Sequence, residues 1–299
     1  MNKKSNIKGI PILLTAAFVW GVAFAAQTVG AEHLSAFSYT AIRYAIGVIP
    51  LFPIAYFLEL RKKDSKKVIA SVKCGILCGS VMFIAITLQQ YGIQLTKTSG
   101  KAGFITCLYI LIVPLLGLLL KRYPAVNVWF GVGLAIIGMY LLTVKESSAI
   151  EFGDVLIMLS ALFWAIHILV VDKFVAEIHA VTFSVTQFLV VSLISTMCML
   201  IFDTVSLSAV KDALIPLLYG GLGSVAIGYT LQIVGQKYAS PVPASLALSM
   251  ESVFAALAGV VLLGENLGFR GYIGCLMIFI AIILAQLPEK WFKLKHNKA

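Results

Sequence analysis

The stretch SPVPASLALSMESVFAALAGVVLLGE, residues 240–265, decides the fold class of this chain. Two prolines at its start suit the first turn of a helix, where a missing N–H group has no consequence. At ~1.5 Å per residue, the apolar segment 244–263 is long enough to cross a hydrocarbon core about 30 Å thick. Its only ionisable side chain is that of Glu251. We therefore expect one continuous membrane helix with a single acid about 10 Å from its nearer end.

Similar apolar segments recur along all 299 residues. The chain is 60% hydrophobic and only 12% charged, whereas about a quarter of a soluble globular chain is charged. This composition excludes a soluble protein and predicts an all-α polytopic membrane protein. The five cysteines fall inside the apolar segments in an odd number, so we expect neither a disulfide framework nor a metal site, and we predict no cofactor.

The apolar segments predict ten transmembrane helices. Most of the 23 lysines and arginines lie in short loops on the side that holds the N-terminus, and not on one amphipathic element. Such an excess marks the cytoplasmic side, and it is not typical of nucleic-acid binding. We therefore expect a multi-pass protein of the cell inner, or cytoplasmic, membrane with both termini in the cytoplasm. The predicted helices cover about residues 9–30, 36–58, 68–94, 101–120, 126–144, 153–172, 182–202, 213–236, 243–263 and 269–287.

The second half of the chain repeats the first at an offset that drifts from 144 to 142 residues. AAFVWGVAF at 16–24 aligns with SALFWAIHI at 160–168, which pairs Trp20 with Trp164. Such a steady offset across several helices indicates a duplicated unit. Further pairs in the same alignment are Arg43 with Gln187, Gln89 with Gln232, Gly92 with Gly235 and Tyr109 with Glu251.

Each copy holds five predicted helices, and an odd number of spans inverts the second copy relative to the first. Inverted repeats are the architecture of secondary transporters, which bind their substrates near the midplane between the halves. We therefore predict two inverted five-helix repeats, residues 1–147 and 148–299, that form one transporter domain. Such a domain would work by alternating access to a central cavity.

Several short motifs agree with this frame. They are Trp20-Gly21, Arg43, Thr98-Ser99, the segment 114–117 and Glu251 through Ala255 with Gly264-Glu265. In this order within two copies, they make the chain resemble the EamA-like family of the drug/metabolite transporter (DMT) superfamily over essentially its full length. The resemblance implies a ten-helix transporter that moves a small metabolite, often outward.

Glu251 is the first candidate for the transport site, because an acid within the membrane is costly unless it is protonated, paired or facing water. It would contact a substrate amine or carry a proton, or else form a structural hydrogen bond to a neighbouring helix. His167 is a second candidate proton carrier, or a simply hydrogen-bonded histidine. Arg43 would bind a substrate carboxylate, snorkel to the interface or tie helix ends together. Together, Arg43 and Glu251 would suit a zwitterion such as an amino acid.

Repeat-related polar and aromatic residues complete the predicted site. Gln89 and Gln232 would either line the cavity or bridge helices. Trp20 and Trp164 lie near the middle of their helices, away from the interfacial belt, and would either stack on a substrate or pack internally. The remaining cavity candidates are Tyr109 and Tyr229.

The predicted function is that of a secondary transporter, with export as the expected direction and small metabolites such as amino acids as cargo. The alternatives are an intramembrane enzyme acting on lipid and a passive channel. The sequence has no HExxH metal motif and no Gly-x-Ser-x-Gly motif, and a channel would usually form its pore by oligomerisation. We expect a small-molecule substrate and the lipid bilayer as partners, proton coupling as one driving force, and a monomer or homodimer.

Overall fold

The computed structural model describes residues 6–62, 64–97, 99–143, 151–263 and 268–287. A short 3₁₀ turn, Leu60–Lys62, follows the second helix, and a π-helical stretch, Tyr219–Tyr229, lies between the tenth and eleventh. The α-helices are α1 (Asn6–His33), α2 (Ala36–Leu58), α3 (Ser65–Thr96), α4 (Ser99–Thr106), α5 (Tyr109–Leu119), α6 (Val126–Thr143), α7 (Phe152–Phe174), α8 (Ala180–Phe202), α9 (Leu207–Asp212), α10 (Leu214–Leu218), α11 (Thr230–Tyr238), α12 (Pro241–Leu248), α13 (Met250–Leu263) and α14 (Gly268–Gln286).

Nine helical segments of the described chain are long and apolar enough to cross a membrane. This confirms the predicted all-α, multi-pass class. The apolar part of α6, Val126–Leu141, is shorter than the other nine, so the count of ten stays a prediction. Large apolar side chains such as Phe52, Leu119 and Val261 are exposed on the outside of the bundle. An apolar outer surface of this kind suits lipid and not water.

Some of the predictions fall outside the described residues. The predicted boundary between the repeats at 147 and 148 is among them, as are both chain termini. The same holds for the motif residues Thr98, Gly264 and Glu265.

Two of the predicted helices are interrupted at equivalent positions. The helix expected over 243–263 is divided at Ser249, between α12 and α13, and the helix expected over 101–120 is divided at Cys107 and Leu108, between α4 and α5. Each range is still one apolar segment long enough to cross a membrane, Ser99–Leu119 and Pro241–Leu262, but the sequence analysis did not predict the turn inside it. At the alignment offset of 142 residues, Cys107 is the partner of Ser249, so the two breaks are related by the repeat.

The interruptions are tight turns and not unwound loops. The N–H of Leu108 donates to the carbonyl of Ile105, and the N–H of Ser252 donates to the carbonyl of Ser249, three residues back instead of four. The hydroxyl of Ser252 also donates to the Ser249 carbonyl, at 2.8 Å. Short hydroxyl side chains compete in this way with the helical ladder and locally convert it to 3₁₀ geometry.

The helix expected over 213–236 also departs from a regular α-helix. Its middle, Tyr219–Tyr229, is π-helical and contains several glycines. A Cβ on Gly221 would stand 2.8 Å from the carbonyl oxygen of Arg43 in α2. The absence of side chains there lets α2 approach the backbone closely, as small residues do at membrane helix interfaces.

Contacts between the two halves occur in repeat-related pairs. Gly92 in α3 lies against Gly153 in α7, where a Cβ on Gly92 would stand 2.7 Å from the Gly153 carbonyl oxygen. Its repeat partner, Gly235 in α11, lies against Gly9 in α1, the repeat partner of Gly153. The first helix of each half therefore packs on the third helix of the other half.

The antiparallel helices α2 and α8 cap each other at both ends. Glu59, just after α2, accepts hydrogen bonds from the N–H groups of Val181 and Thr182 at 3.1 and 2.7 Å. Asp203, just after α8, accepts from the N–H and hydroxyl of Ser38 at 3.2 and 2.7 Å. Glu59 and Asp203 are 144 residues apart, the offset of the repeat. Each carboxylate satisfies free N–H groups at the positive end of the other helix.

We expect the Asp203→Ala variant to lower the free energy of unfolding by about 1 kcal/mol, because the N-terminus of α2 loses the carboxylate that accepts from Ser38 and keeps only the Ser35 hydroxyl as its cap. Thermal and denaturant unfolding of the purified protein in detergent measures the change. Asp212→Ala, which removes an exposed acid from the short helix α9, is the matched control. Equal effects of the two substitutions would contradict the capping role.

Candidate functional site

A cavity lies where α1 and α7 meet the interrupted helices. Its volume is about 40 Å³, counted as the space open to the centre of a water molecule, which is room for only a few waters at ~10–15 Å³ each. It brings together seven of the nine residues predicted from the sequence, namely Trp20, Gln89, Tyr109, Trp164, Tyr229, Gln232 and Glu251.

Glu251 is buried and meets its own repeat partner. Its Oε1 atom accepts a hydrogen bond from the Tyr109 hydroxyl at 3.2 Å. The Cys107 thiol also donates to Oε1, at a sulfur–oxygen distance of 3.4 Å. Tyr109 is the first residue of α5, and Glu251 lies in the first turn of α13. The two turns therefore bring side chains of both halves to one carboxyl group. Equivalent residues can meet only on the axis that relates the two halves, so the carboxyl group lies at that axis.

Three aromatic rings form one wall of the cavity. Tyr229 stacks on Trp164 with ring centroids 5.7 Å apart and planes 17° apart, and its ring lies 4.6 Å from that of Trp20. The indole N–H of Trp20 donates to the carbonyl of Ser224 at 3.2 Å. The repeat-related tryptophans thus pack on a shared tyrosine and also border the cavity.

The two predicted glutamines line the cavity; Gln89 also bridges two helices, whereas Gln232 is bonded within its own helix α11 to Gln236, which reaches α7. Gln89 in α3 donates through Nε2 to the hydroxyl of Thr106 in α4 at 3.0 Å. Gln232 donates through Nε2 to Oε1 of Gln236 at 3.1 Å, and Gln236 donates to the carbonyl of Ile168 in α7 at 2.9 Å. The two interpretations left open by the sequence are therefore compatible at Gln89.

Arg43 lies one layer behind the cavity. Its guanidinium is buried between the rings of Tyr39 and Tyr44, with its central carbon 5.1 and 5.3 Å from their centroids, and it does not snorkel to the interface. The Tyr44 ring separates it from Tyr229, whose centroid is 6.4 Å away from that of Tyr44. The structure therefore does not bring Arg43 and Glu251 together around one space.

His167 also lies outside the cavity lining. It is fully buried, and its Nε2 atom is 3.1 Å from Oε1 of Gln187. Its ring lies edge-on to Trp164, with centroids 5.8 Å apart. Gln187 is the repeat partner of Arg43. Each half therefore has a polar residue at this position, outside the cavity lining.

The cavity contains polar residues that we did not predict from the sequence. They are Gln27, Thr106 and Ser224. Gln27 follows Trp20 by seven residues, which is two helical turns, so the two side chains share a face of α1. That spacing was available in the sequence. Ser224 had no such signal, because it lies in the π-helical stretch.

Comparison with known proteins supports the same class. The sequence profile of the EamA-like transporter family matches residues 7–144 and 151–287. An uncharacterized transporter of Archaeoglobus fulgidus is 26% identical over 277 residues, covering 92% of this chain and 84% of its own. The uncharacterized transporter YoaV of Bacillus subtilis is 23% identical over 287 residues, covering 91% and 94%. A crystal structure that is 16% identical superposes with a TM-score of 0.77 over 96% of this chain and 99% of its own, which shows a shared fold.

We expect the Gly228→Ala variant to disturb the aromatic wall, because the added Cβ would collide with the indole of Trp20. Overpacking of this kind costs about 1–3 kcal/mol, and the Trp20 hydrogen bond to Ser224 should be lost. Thermal unfolding and tryptophan fluorescence report the two effects. Gly133→Ala in α6 is the control, since nothing lies within 4 Å of its added Cβ, and it should be neutral or stabilising by up to about 1 kcal/mol.

Proposed function

The chain belongs to the EamA-like transporter family of the DMT superfamily, and we propose that it exports small metabolites such as amino acids by alternating access. Family membership and the transporter relatives make it a multi-pass membrane transporter of a small-molecule substrate. The observation that carries the finer proposal is the contact between Tyr109 and Glu251. Two repeat-equivalent residues meet at a buried cavity, so that cavity lies on the axis between the halves.

A site on this axis suits alternating access. A contact between the halves occurs twice, once with each half supplying the first helix and the other half the third. The contacts of Gly92 with Gly153 and of Gly235 with Gly9 are one such pair. Exchanging the conformations of two such halves gives a second arrangement in which the opposite side of the cavity opens. The small volume of the cavity agrees with a closed stage of such a cycle.

The proposal includes a place and a driving force. We propose that residues 1–147 and 148–299 act as one domain in the cytoplasmic membrane with both termini inside, which the excess of basic residues on that side supports. Glu251 is the proposed proton carrier, because an acid buried at the cavity can release its proton when a cationic substrate binds and take up a proton when the substrate leaves. We propose a transporter and not an enzyme.

Counterflow into proteoliposomes tests the transport function. The purified protein is reconstituted, loaded with an unlabelled compound, and exposed to trace amounts of the same radiolabelled compound, over a panel of amino acids and other small metabolites. We expect saturable exchange of one chemical class and none in empty liposomes. Failure of every class to exchange, by protein shown to be folded, would overturn the proposal.

We expect Glu251→Gln to fold normally but to slow transport by about tenfold or more, equivalent to ~1.4 kcal/mol, or to abolish its pH dependence. Counterflow across a range of pH values measures both. Glu177→Gln, an exposed acid after α7, is the matched control and should behave as the wild type. Wild-type rates in the Glu251→Gln protein at every pH would remove Glu251 from the mechanism.

A further inference from the structure

We propose that the cavity recognises the ammonium group of its ligand and offers no subsite for a ligand carboxylate. This inference rests on the proposed transport function and specifies which end of a small metabolite is bound. It follows from the hydrogen-bonding capacity left unused in the cavity wall, from the aromatic rings, and from the charges that border the cavity.

The first acceptor is the carboxyl group of Glu251. The Tyr109 hydroxyl and the Cys107 thiol both contact Oε1, so Oε2 is the oxygen left to a ligand. Glu251 borders the cavity and is 4% exposed. A cationic group placed beside it would gain a charge-assisted hydrogen bond in surroundings with little water to screen it.

The second acceptor is the amide oxygen of Gln232, whose orientation is set by a chain of hydrogen bonds. The carbonyl of Ile168 can only accept, so the group of Gln236 that contacts it must be its NH₂. The oxygen of Gln236 therefore faces Gln232, which must present its own NH₂. This leaves Gln232 Oε1 buried without a partner in the described structure, on a residue that lines the cavity.

The unused groups of the wall are mostly acceptors. Gln27, another lining residue, also has an Oε1 atom without a partner among the described residues. The one unpartnered buried donor in the described part of the wall is the indole N–H of Trp164. A primary ammonium has three donors and no acceptor, whereas a carboxylate has only acceptors. The wall therefore complements an ammonium.

The aromatic wall favours the same charge. The ring centroid of Tyr229 lies 4.6 Å from that of Trp20 and 5.7 Å from that of Trp164. The face of an aromatic ring carries negative electrostatic potential, so a ring face that the stacking of Tyr229 on Trp164 leaves free attracts a cation and repels a carboxylate.

No opposite charge is available to a carboxylate at this cavity. The lining residues within the described ranges include no lysine, arginine or histidine. Arg43 is not a lining residue: its guanidinium lies over the rings of Tyr39 and Tyr44, and its Nε and Nη2 atoms are buried there without a partner in the described structure. A ligand carboxylate would be buried without a partner and close to Glu251, which is unfavourable.

Ligand series that differ only in charge test this inference. One series is leucine, leucinamide, isopentylamine and N-acetylleucine, and the other is alanine, alaninamide, ethylamine and N-acetylalanine. Binding to the purified wild-type protein is followed by tryptophan fluorescence and by thermal stabilisation. In at least one series we expect the amide and the amine to bind at least as tightly as the amino acid. The N-acetyl acid should bind with a Kd about tenfold higher than that of the amino acid, or more.

Variants assign the preference to the two acceptors. Glu251→Gln and Gln232→Leu should each weaken binding of the amide and amine by about tenfold or more. Glu251→Asp, which keeps the charge, should retain the preference for cations. Glu177→Gln, remote from the cavity, should bind as the wild type does.

The outcomes separate this inference from the transport function. Binding of the N-acetyl acids as tight as that of the amides would overturn the inference, and so would the absence of binding by every cationic member to folded protein. If the protein catalyses counterflow of a compound and N-acetyl acids inhibit that counterflow as well as the amides do, the ammonium inference is overturned and the transport function stands. Cation binding without counterflow of any class would uphold the inference and overturn the transport proposal.

Discussion

A carboxyl group inside an apolar helix bundle must have hydrogen-bond donors, and much of this structure provides them for Glu251. The donors are a hydroxyl and a thiol at the other half's helix break, on Tyr109 and Cys107. The paired turns at Cys107 and Ser249 bring side chains of the two halves together at this acid. The backbone N–H groups of the turns stay bonded within their own segments, as Leu108 to Ile105 and Ser252 to Ser249, so the donors to the acid are side chains.

Many of the other buried polar groups have a neighbour as partner, as where Gln236 donates to Ile168 and Gln89 donates to Thr106. Others have no partner in the described structure, both behind the cavity, as at Arg43, and at its wall, as at the amide oxygens of Gln27 and Gln232. Buried unpaired groups are costly, and a membrane interior offers no general solvent to relieve them. Those at the wall are the ones that a ligand in the cavity would satisfy.

The packing of the helices combines close contact with removable ties. Glycines such as Gly92 and Gly235 let the helices of opposite halves touch backbone to backbone, which favours rigid helix pairs. The caps made by Glu59 and Asp203 hold α2 and α8 together at both faces of the membrane. One cap is worth about 1 kcal/mol, an amount that ligand binding can readily offset. Any motion that separates α2 from α8 at one face must break one of these caps.

The sequence by itself determined the membrane class and the repeat, and seven of the nine site residues predicted from it line the cavity, because apolar length and repetition are properties of a one-dimensional string. The tertiary structure alone decided the tight turns at Cys107 and Ser249, which depend on what their side chains meet. It also placed Arg43 and His167 behind the wall. A membrane helix is apolar toward lipid and toward its neighbours alike, so its pattern does not reveal which face turns inward. Only packing sets that rotation, and with it the difference between lining a cavity and standing behind it.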